Sequence, residues 1–582
     1  MKPNKLFLGQ LILLALVFVV FWPTLNNEFV DRDDTAYLLE NPLVKELSWE
    51  NIGRIFTENK GLYRPLAILS FALEFHFFGS QPQAYHFHNL LLHAANVLLV
   101  FWLFGLMTAD FSVAFLGALL FSIHPTRVES VAWITERKDV LSTLFFLASL
   151  ICYVRYTQGR LWRFYGATLG CFVLSLLAKP SGLLFPLILF LVDVTRSRPL
   201  SRRLFWEKIP FLLAALVFFY IGLAGAQASN PSMGFPEDAA IIMAFSFLHY
   251  LRLIFWPFDL CVIYHRSSLM GPALSSCGLG ALFLVVAIFV LAAWWVRRAR
   301  YPFFGVTFFA ILIALPIFAI PFTGVIFFAA DRCLYGPFLG LSLVFGQAVT
   351  RFYRRRGPGL RRPVVVLCAL LFGALGVATH ERVKVWHDSV SLWNDVLKKY
   401  PENMDARMNR AVAYALKGDY ASAIADFDTI DPDTRYRDDN LAGIYIKLGM
   451  FDRAESMLEN IIKNDPTQFD ACAINLASAY MGTGKTSEAT QVLRQVLAGE
   501  NDKNKVMANY SLGVVAKNSG DPDTARYYFR EAVRKDPGYA AAYFALAQLE
   551  AEKGHDEEAL RYYQQAVFAD PSYRIEGSGK TP

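Results

Sequence analysis

Residues 363–380 read PVVVLCALLFGALGVATH and residues 404–427 read MDARMNRAVAYALKGDYASAIADF. The first run has no charged side chain and is long enough for hydrocarbon to be its solvent. The second mixes Asp, Arg and Lys with small apolar residues and turns at a glycine, as a helix pair in water does. The chain changes solvent between these two stretches, and the rest of the reading works outward from that point.

Upstream, roughly 20 apolar residues cover the hydrocarbon. Spans are predicted near 6–22, 87–107, 111–123, 139–156, 162–178, 182–195, 208–226, 276–296, 303–321, 334–351 and 363–380. The first follows a basic start (Lys2, Lys5) with no small-x-small cleavage site, so it reads as an uncleaved span. With the N-terminus cytoplasmic, the basic clusters all fall inside, as the positive-inside rule requires: Arg155–Arg163, Arg196–Lys208, Arg297–Arg300 and Arg351–Arg362. One apolar stretch, 240–256, would reverse the later loops if it crossed, so it is expected to be re-entrant or interfacial. Eleven crossings then put the C-terminal part outside.

Composition divides at the same place. Hydrophobic residues make up 55% of the 582, and 50 are phenylalanine. Up to residue 380 there are 31 Lys and Arg against 19 Asp and Glu; beyond it, 25 against 31. A basic membrane part needs no nucleic acid to explain it, because cytoplasmic loops collect such residues. The seven cysteines show no CxxC or metal spacing, which argues against a disulfide framework or zinc site.

Downstream, a pattern recurs with a period near 34, the tetratricopeptide spacing. Its turn glycines are Gly418, Gly449, Gly484, Gly520 and Gly554. Five residues on come Ala423, Ala454, Ala489, Ala525 and Ala559; four further on, Phe427, Leu458, Leu493, Phe529 and Tyr563. Prolines close three repeats at Pro466, Pro537 and Pro571. Small beside large at helical spacing lets pairs stack that could not bury their apolar faces alone. Asn409, Asn440 and Asn475 each precede their glycine by nine residues and should line one face. An amide there could pair with an extended peptide acceptor; the plainer alternative is that Asn is common at this position.

Candidate chemistry lies in the outside loops. The first opens FVDRDDTAYLLENPLV, with Asp31, Asp33 and Asp34 at the membrane surface. A partly desolvated carboxylate there could take a proton from a hydroxyl; a solvated acidic turn is the alternative. The second reads HPTRVESVAWITERKDV, packing His124, Arg127, Glu129, Glu136, Arg137, Lys138 and Asp139 into sixteen residues. Its cations could hold a phosphate, or simply pair with their acidic neighbours as interfacial anchors. Lys179 in AKPSG and Asp331-Arg332 in AADRCLY sit at span ends, where a snorkelling role is the default. His86, His88 and His93 fall at i, i+2 and i+7, which does not favour a metal site. The stretch following Tyr63-Arg64-Pro65 reads as an interfacial amphipathic helix.

Taken in order, FVxxDD, YRP, YHxxNLLLH, HPxxxESVAWxxERKDVL, KP and ADRxxY, followed by the repeats, resemble bacterial relatives of the transmembrane and tetratricopeptide-repeat protein O-mannosyltransferases. These are membrane glycosyltransferases of the GT-C type that use polyprenyl-phosphate sugars. The resemblance covers nearly the whole chain. It implies an active site at the outer membrane face and a catalytic carboxylate in the acidic pair, Asp33 and Asp34 here. Glu129, Arg137 and Asp139 match family-typical positions.

The expected fold is therefore all-α: a polytopic GT-C-like helix bundle over 1–380, a connecting helix over 381–403, a tetratricopeptide superhelix over 404–573 and a tail over 574–582. The expected activity is inverting transfer from a polyprenyl-phosphate sugar to an acceptor hydroxyl. Asp33 or Asp34 serves as base, and Arg137, Lys138, Lys179 and Arg332 hold the donor phosphate. His124, Glu129 and Asp139 support them, and the repeats present a protein or peptide acceptor. Whether a divalent metal assists is open, since two adjacent carboxylates could hold one. The expected location is the inner membrane, among membrane lipid, with the repeats periplasmic. The rival is a non-catalytic membrane scaffold whose repeats recruit envelope partners, because fold does not dictate activity. A transporter would call for polar residues deep within spans, and few are visible.

Overall fold

The computed structural model describes residues 3–58, 63–199, 201–229, 239–265, 274–296, 299–322, 327–431, 434, 437–499, 501–570 and 573. Arg297, Arg298, Pro571 and the tail 574–582 lie outside them. By contacts the chain forms two units: Met1–Phe29, Gly53–Ser70 and Pro82–Asp388 make one, and Val30–Ile52, Phe71–Gln81 and Ser389–Pro582 the other. This division differs from the expected boundary at 380. Residues 30–52 and 71–81, both from the segment between the first two predicted spans, group with the repeats.

In the first unit a helix occupies each of the eleven predicted spans. Among the described residues six candidates are long and apolar enough to cross a membrane: Pro3–Asn26, Pro82–Thr108, Ile134–Gly159, Arg202–Gly225, Arg300–Ala319 and Pro358–Lys384. A seventh is the pair Phe111–Ile123 and Pro125–Ala132, bent by 62° at a break where proline supplies no N–H. Among the described residues this gives six or seven against the eleven expected, and two of the remaining predicted spans fall short in length. Trp162–Ala178 has 17 residues, or about 26 Å at 1.5 Å per residue, and Phe185–Thr195 has 11. Ala239–Phe255 also has 17, so length does not separate the segment read as re-entrant from one read as a crossing.

Close helix approach explains some of the glycines. A Cβ on Gly340 would lie 2.1 Å from the Gly305 carbonyl oxygen, so helices Arg300–Phe322 and Phe338–Arg355 meet through bare backbone, as small residues allow in bilayers. The all-helical expectation misses one small feature. Tyr264–His265 and Phe327–Ala329 pair antiparallel, with Tyr264 opposite Ala329.

In the second unit, helix Ser389–Lys399 precedes five helix pairs: Met404–Leu416 with Tyr420–Phe427, Arg437–Lys447 with Phe451–Asn464, Phe469–Gly482 with Thr486–Ala498, Asp502–Asn518 with Pro522–Lys535, and Ala540–Glu552 with Asp556–Ala569. All five marker alanines are fully buried, as are Phe427, Leu458, Leu493 and Phe529. Tyr563, in the last pair, is half-buried and meets Phe544 at 6.5 Å. The five turn glycines all have φ between +74° and +81°. After each, the next N–H reaches back to close the first helix, as Lys485 N does to Tyr480 O at 2.8 Å. A Cβ on Gly484 would meet nothing within 4 Å, so its requirement is conformational. Gly484→Ala is therefore expected to cost about 1–2 kcal/mol, read as a lower thermal midpoint of the helical signal.

Candidate active site

Helix Pro82–Thr108 organises the HPTRVESVAWITERKDVL segment. Its Asn89, His93 and Asn96 fall at i, i+4 and i+7, one buried polar stripe in an otherwise apolar helix. Asn89 Nδ2 donates to the carbonyls of Trp133 (3.2 Å) and Ile134 (3.3 Å), and Asn96 Nδ2 to that of Val140 (2.8 Å). The His93 ring bonds Tyr335 Oη at 2.8 Å and Ser122 O at 3.0 Å. An unpaired amide in an apolar interior is costly, so these pairings hold the loop backbone in register. Arg127 adds a second clamp. It is fully buried, donates to the carbonyls of Leu334 (2.9 Å) and Tyr335 (2.7 Å), and lies over the rings of Phe121, Tyr335 and Phe338.

This scaffold brings six charged side chains together. Arg332 Nη1 meets Glu129 at 2.6 Å, and its own backbone N–H donates to the other Glu129 oxygen at 2.8 Å. Lys138 reaches Glu136 at 2.8 Å, and Arg332 Nε reaches the same oxygen at 3.4 Å. Lys179 contacts Asp139 at 2.5 Å and Glu136 at 3.6 Å. Lys138 and Arg332 both lie over the Trp133 ring, which stacks on Trp386 at 5.6 Å. Glu136, 1% exposed, is the hub; Lys179 (21%) and Arg332 (17%) are the cations that reach solvent.

Burial works against the charge on Arg332, but Glu129 and Glu136 outweigh it and hold the guanidinium well above its usual range. Burial likewise opposes the charge on Lys179, and Asp139 and Glu136 overcome it, with Arg64 pushing the other way. Tyr264, carried in by the small sheet, donates to Asp331 at 2.6 Å beside Arg332.

Among the sequence-derived residues, Lys138, Lys179, Arg332, Glu129 and Asp139 converge. Two others bond elsewhere. Arg137 is buried and donates to Asn89 Oδ1 and Tyr85 O, both at 2.8 Å. His124 is buried against Thr126 Oγ1 at 2.8 Å and Ile254 O at 3.1 Å. The sequence reading assigns no individual role to Glu136, Asn89 or Asn96. The signal for the two asparagines was present: amides in step with His93 inside an apolar run.

The acidic pair lies in the other unit. Asp34 is buried, and its Oδ2 accepts from Val30 N at 3.0 Å; Asp33 is half-buried, and its carbonyl accepts from Tyr37 N at 2.9 Å. Asp31 accepts from Thr35 Oγ1 at 2.9 Å. On the repeats, Asn409, Asn440 and Asn475 are all half-buried on the first helices of their pairs. Asn475 Nδ2 donates to Asp439 Oδ1 at 3.0 Å in the preceding pair, so this amide stitches neighbouring repeats.

Fold and site together define a polytopic helical membrane protein with a tetratricopeptide-repeat domain. Family models described as tetratricopeptide repeat match residues 386–437, 445–506 and 510–574. Its curated homologues are protein O-mannosyl-transferases of the transmembrane and tetratricopeptide-repeat group. Protein O-mannosyl-transferase TMTC2 of Homo sapiens is 35% identical over 188 residues, covering 30% of this chain and 22% of the relative. Protein O-mannosyl-transferase F38B6.6 of Caenorhabditis elegans is 26% identical over 69% of this chain and 59% of its own length. TMTC3 of Mus musculus is 23% identical over 92% of this chain and 65% of its own. The chain thus spans between about a fifth and two thirds of these relatives.

Proposed function

We propose that this chain is a membrane glycosyltransferase that moves a sugar from a polyprenyl-phosphate donor to a hydroxyl of a protein acceptor. The observation that carries the reading is the cluster in which Lys179 and Arg332, backed by Lys138, reach solvent over three buried carboxylates. Cations held in place by fixed counter-charges need little reorganisation as charge develops on a leaving phosphate. The names of the relatives supply the reaction class.

In the proposed reaction, Asp33 or Asp34 takes the proton of the acceptor hydroxyl. The hydroxyl oxygen then forms a bond to the anomeric carbon as the bond from that carbon to the phosphate oxygen breaks. The sugar centre inverts, and polyprenyl phosphate leaves as an anion held by Lys179 and Arg332. Asp33, half-buried, is the member assigned to the base; Asp34, engaged at Val30 N, holds the loop. Arg137 and His124, with their side chains on Asn89 and Ile254, brace the segment.

The basic-loop pattern supports an N-terminus in the cytoplasm, eleven crossings of the inner membrane and periplasmic repeats that present the acceptor, with Asn409, Asn440 and Asn475 on the acceptor-facing helices. The test is reconstitution in vesicles with polyprenyl-phosphate mannose, the sugar in the relatives' names, and a pool of exported proteins. Acceptor labelling with matching release of polyprenyl phosphate is expected. No release with mannose or other common polyprenyl-phosphate sugars would leave the scaffold reading in its place.

A further inference from the structure

Residues 30–46 of the first loop are tied to the repeat unit by contacts that span most of the chain. Lys45 Nζ pairs with Asp536 Oδ2 at 2.9 Å, 491 residues away, with side-chain exposures of 7% and 11%. Exposed ion pairs are worth little, but removing one partner of a buried pair leaves the other uncompensated. The other Asp536 oxygen accepts from Gly538 N at 3.0 Å, so one carboxylate closes the turn between two repeats and receives the lysine. A Cβ on Gly538 would lie 2.0 Å from Lys45 Cδ; glycine at 538 gives the lysine stem its path.

From Lys45 back to the acidic pair the chain is continuously bonded. Leu43 N donates to Asn41 Oδ1 at 3.1 Å, Asn41 Nδ2 to Tyr37 O at 3.2 Å and Tyr37 N to Asp33 O at 2.9 Å. Val30, Leu38 and Val44 are buried along this stretch. Its far end is anchored too, since Asp31 N donates to Ser389 Oγ at 2.8 Å, at the start of the helix preceding the repeats. A second tie joins 71–81 to the last repeat helix, through Ser80 Oγ on Ala569 O at 2.8 Å and Phe75 on Phe568 at 5.8 Å.

We propose that Lys45 is a positioning residue for the acidic pair: with Asp536 and the Gly538 opening it makes the acidic loop part of the repeat domain, so that the repeats holding an acceptor set the position of the carboxylate. The inference rests on the reading of Asp33 and Asp34 as the source of the base. It gives the repeats a role in turnover beyond capture.

Hydrogen exchange on the full-length chain in detergent tests the tie without any substrate. Lys45→Ala should speed exchange of the amides of 30–46 by ~10-fold or more, Gly538→Ala should do the same by closing the lysine's path, and Lys45→Arg should restore most of the protection. In the mannose transfer assay Lys45→Ala should lower kcat while leaving KM for the donor unchanged, again with recovery in Lys45→Arg. Unchanged exchange of 30–46 in both Lys45→Ala and Gly538→Ala overturns the tie. Faster exchange with kcat intact overturns the positioning role alone. A wild-type chain that transfers nothing removes the enzymatic reading, while the exchange result still stands or falls by itself.

Discussion

Asp33→Asn is expected to lower sugar transfer by roughly 10²–10⁴-fold, the usual contribution of a positioned general base, with the thermal midpoint and donor KM unchanged. The amide has the volume of the carboxylate but cannot accept the hydroxyl proton. Asp34→Asn separates two roles that alanine would confuse. The Asp34 carboxylate accepts from Val30 N, and an asparagine Oδ1 can accept the same bond, so the loop should keep its shape while the charge is lost. Asp34→Ala removes the acceptor as well and should cost about 1 kcal/mol. With Asp33 as the base, Asp34→Asn should keep most of the transfer, and Asp34→Ala should lose some of it together with stability. The reverse pattern, with Asp34→Asn inactive and Asp33→Asn active, would move the base to Asp34. Full transfer by both asparagine variants would end the assignment of the base to this loop.

The sequence-derived and observed structures agree where the physics is local. Five glycines recur because each must adopt positive φ, and a side chain there is penalised whatever surrounds it. The apolar runs announce helices because backbone groups in hydrocarbon must bond within their own segment. Other features depend on partners far along the chain. Nothing near Lys45 announces Asp536, so the grouping of 30–52 with the repeats leaves no local pattern. The ERKD segment shows a similar limit. Arg137 and Lys138 are adjacent and both basic, but successive residues on a helix point in different directions. Arg137 turns to Asn89 and Tyr85, and Lys138 to Glu136. Which cation faces the cluster depends on the rotation of helix Arg137–Gly159 against Pro82–Thr108, and residue types do not specify it. The stripe of Asn89, His93 and Asn96 was legible as a periodicity; scanning the histidines alone for metal spacing passes over it.

Glu136→Gln probes the hub of the cluster and should have the largest effect on stability. Glu136 faces Lys138 at 2.8 Å, Arg332 at 3.4 Å and Lys179 at 3.6 Å while almost completely buried. With the carboxylate gone, the three cations lose a counter-charge that they share and keep Glu129 and Asp139. Breaking a buried ion network by removing one partner typically costs about 3–5 kcal/mol, and glutamine keeps the volume, so a cavity contributes little. A fall in thermal midpoint is expected even without substrate. The same substitution should make the cluster a better anion site, because a phosphate could take the place of the lost charge. Anything that binds the folded state alone raises its stability by mass action. Exchanging chloride for inorganic phosphate at equal ionic strength should therefore raise the midpoint of Glu136→Gln by more than that of the wild type. Arg332→Gln in the same background should abolish that gain, since it removes one of the two cations that reach solvent. An unchanged midpoint in Glu136→Gln would mean that the carboxylate does not bear the charge of its three neighbours. A lowered midpoint with no added response to phosphate would mean that the cluster braces the loop without offering a phosphate site.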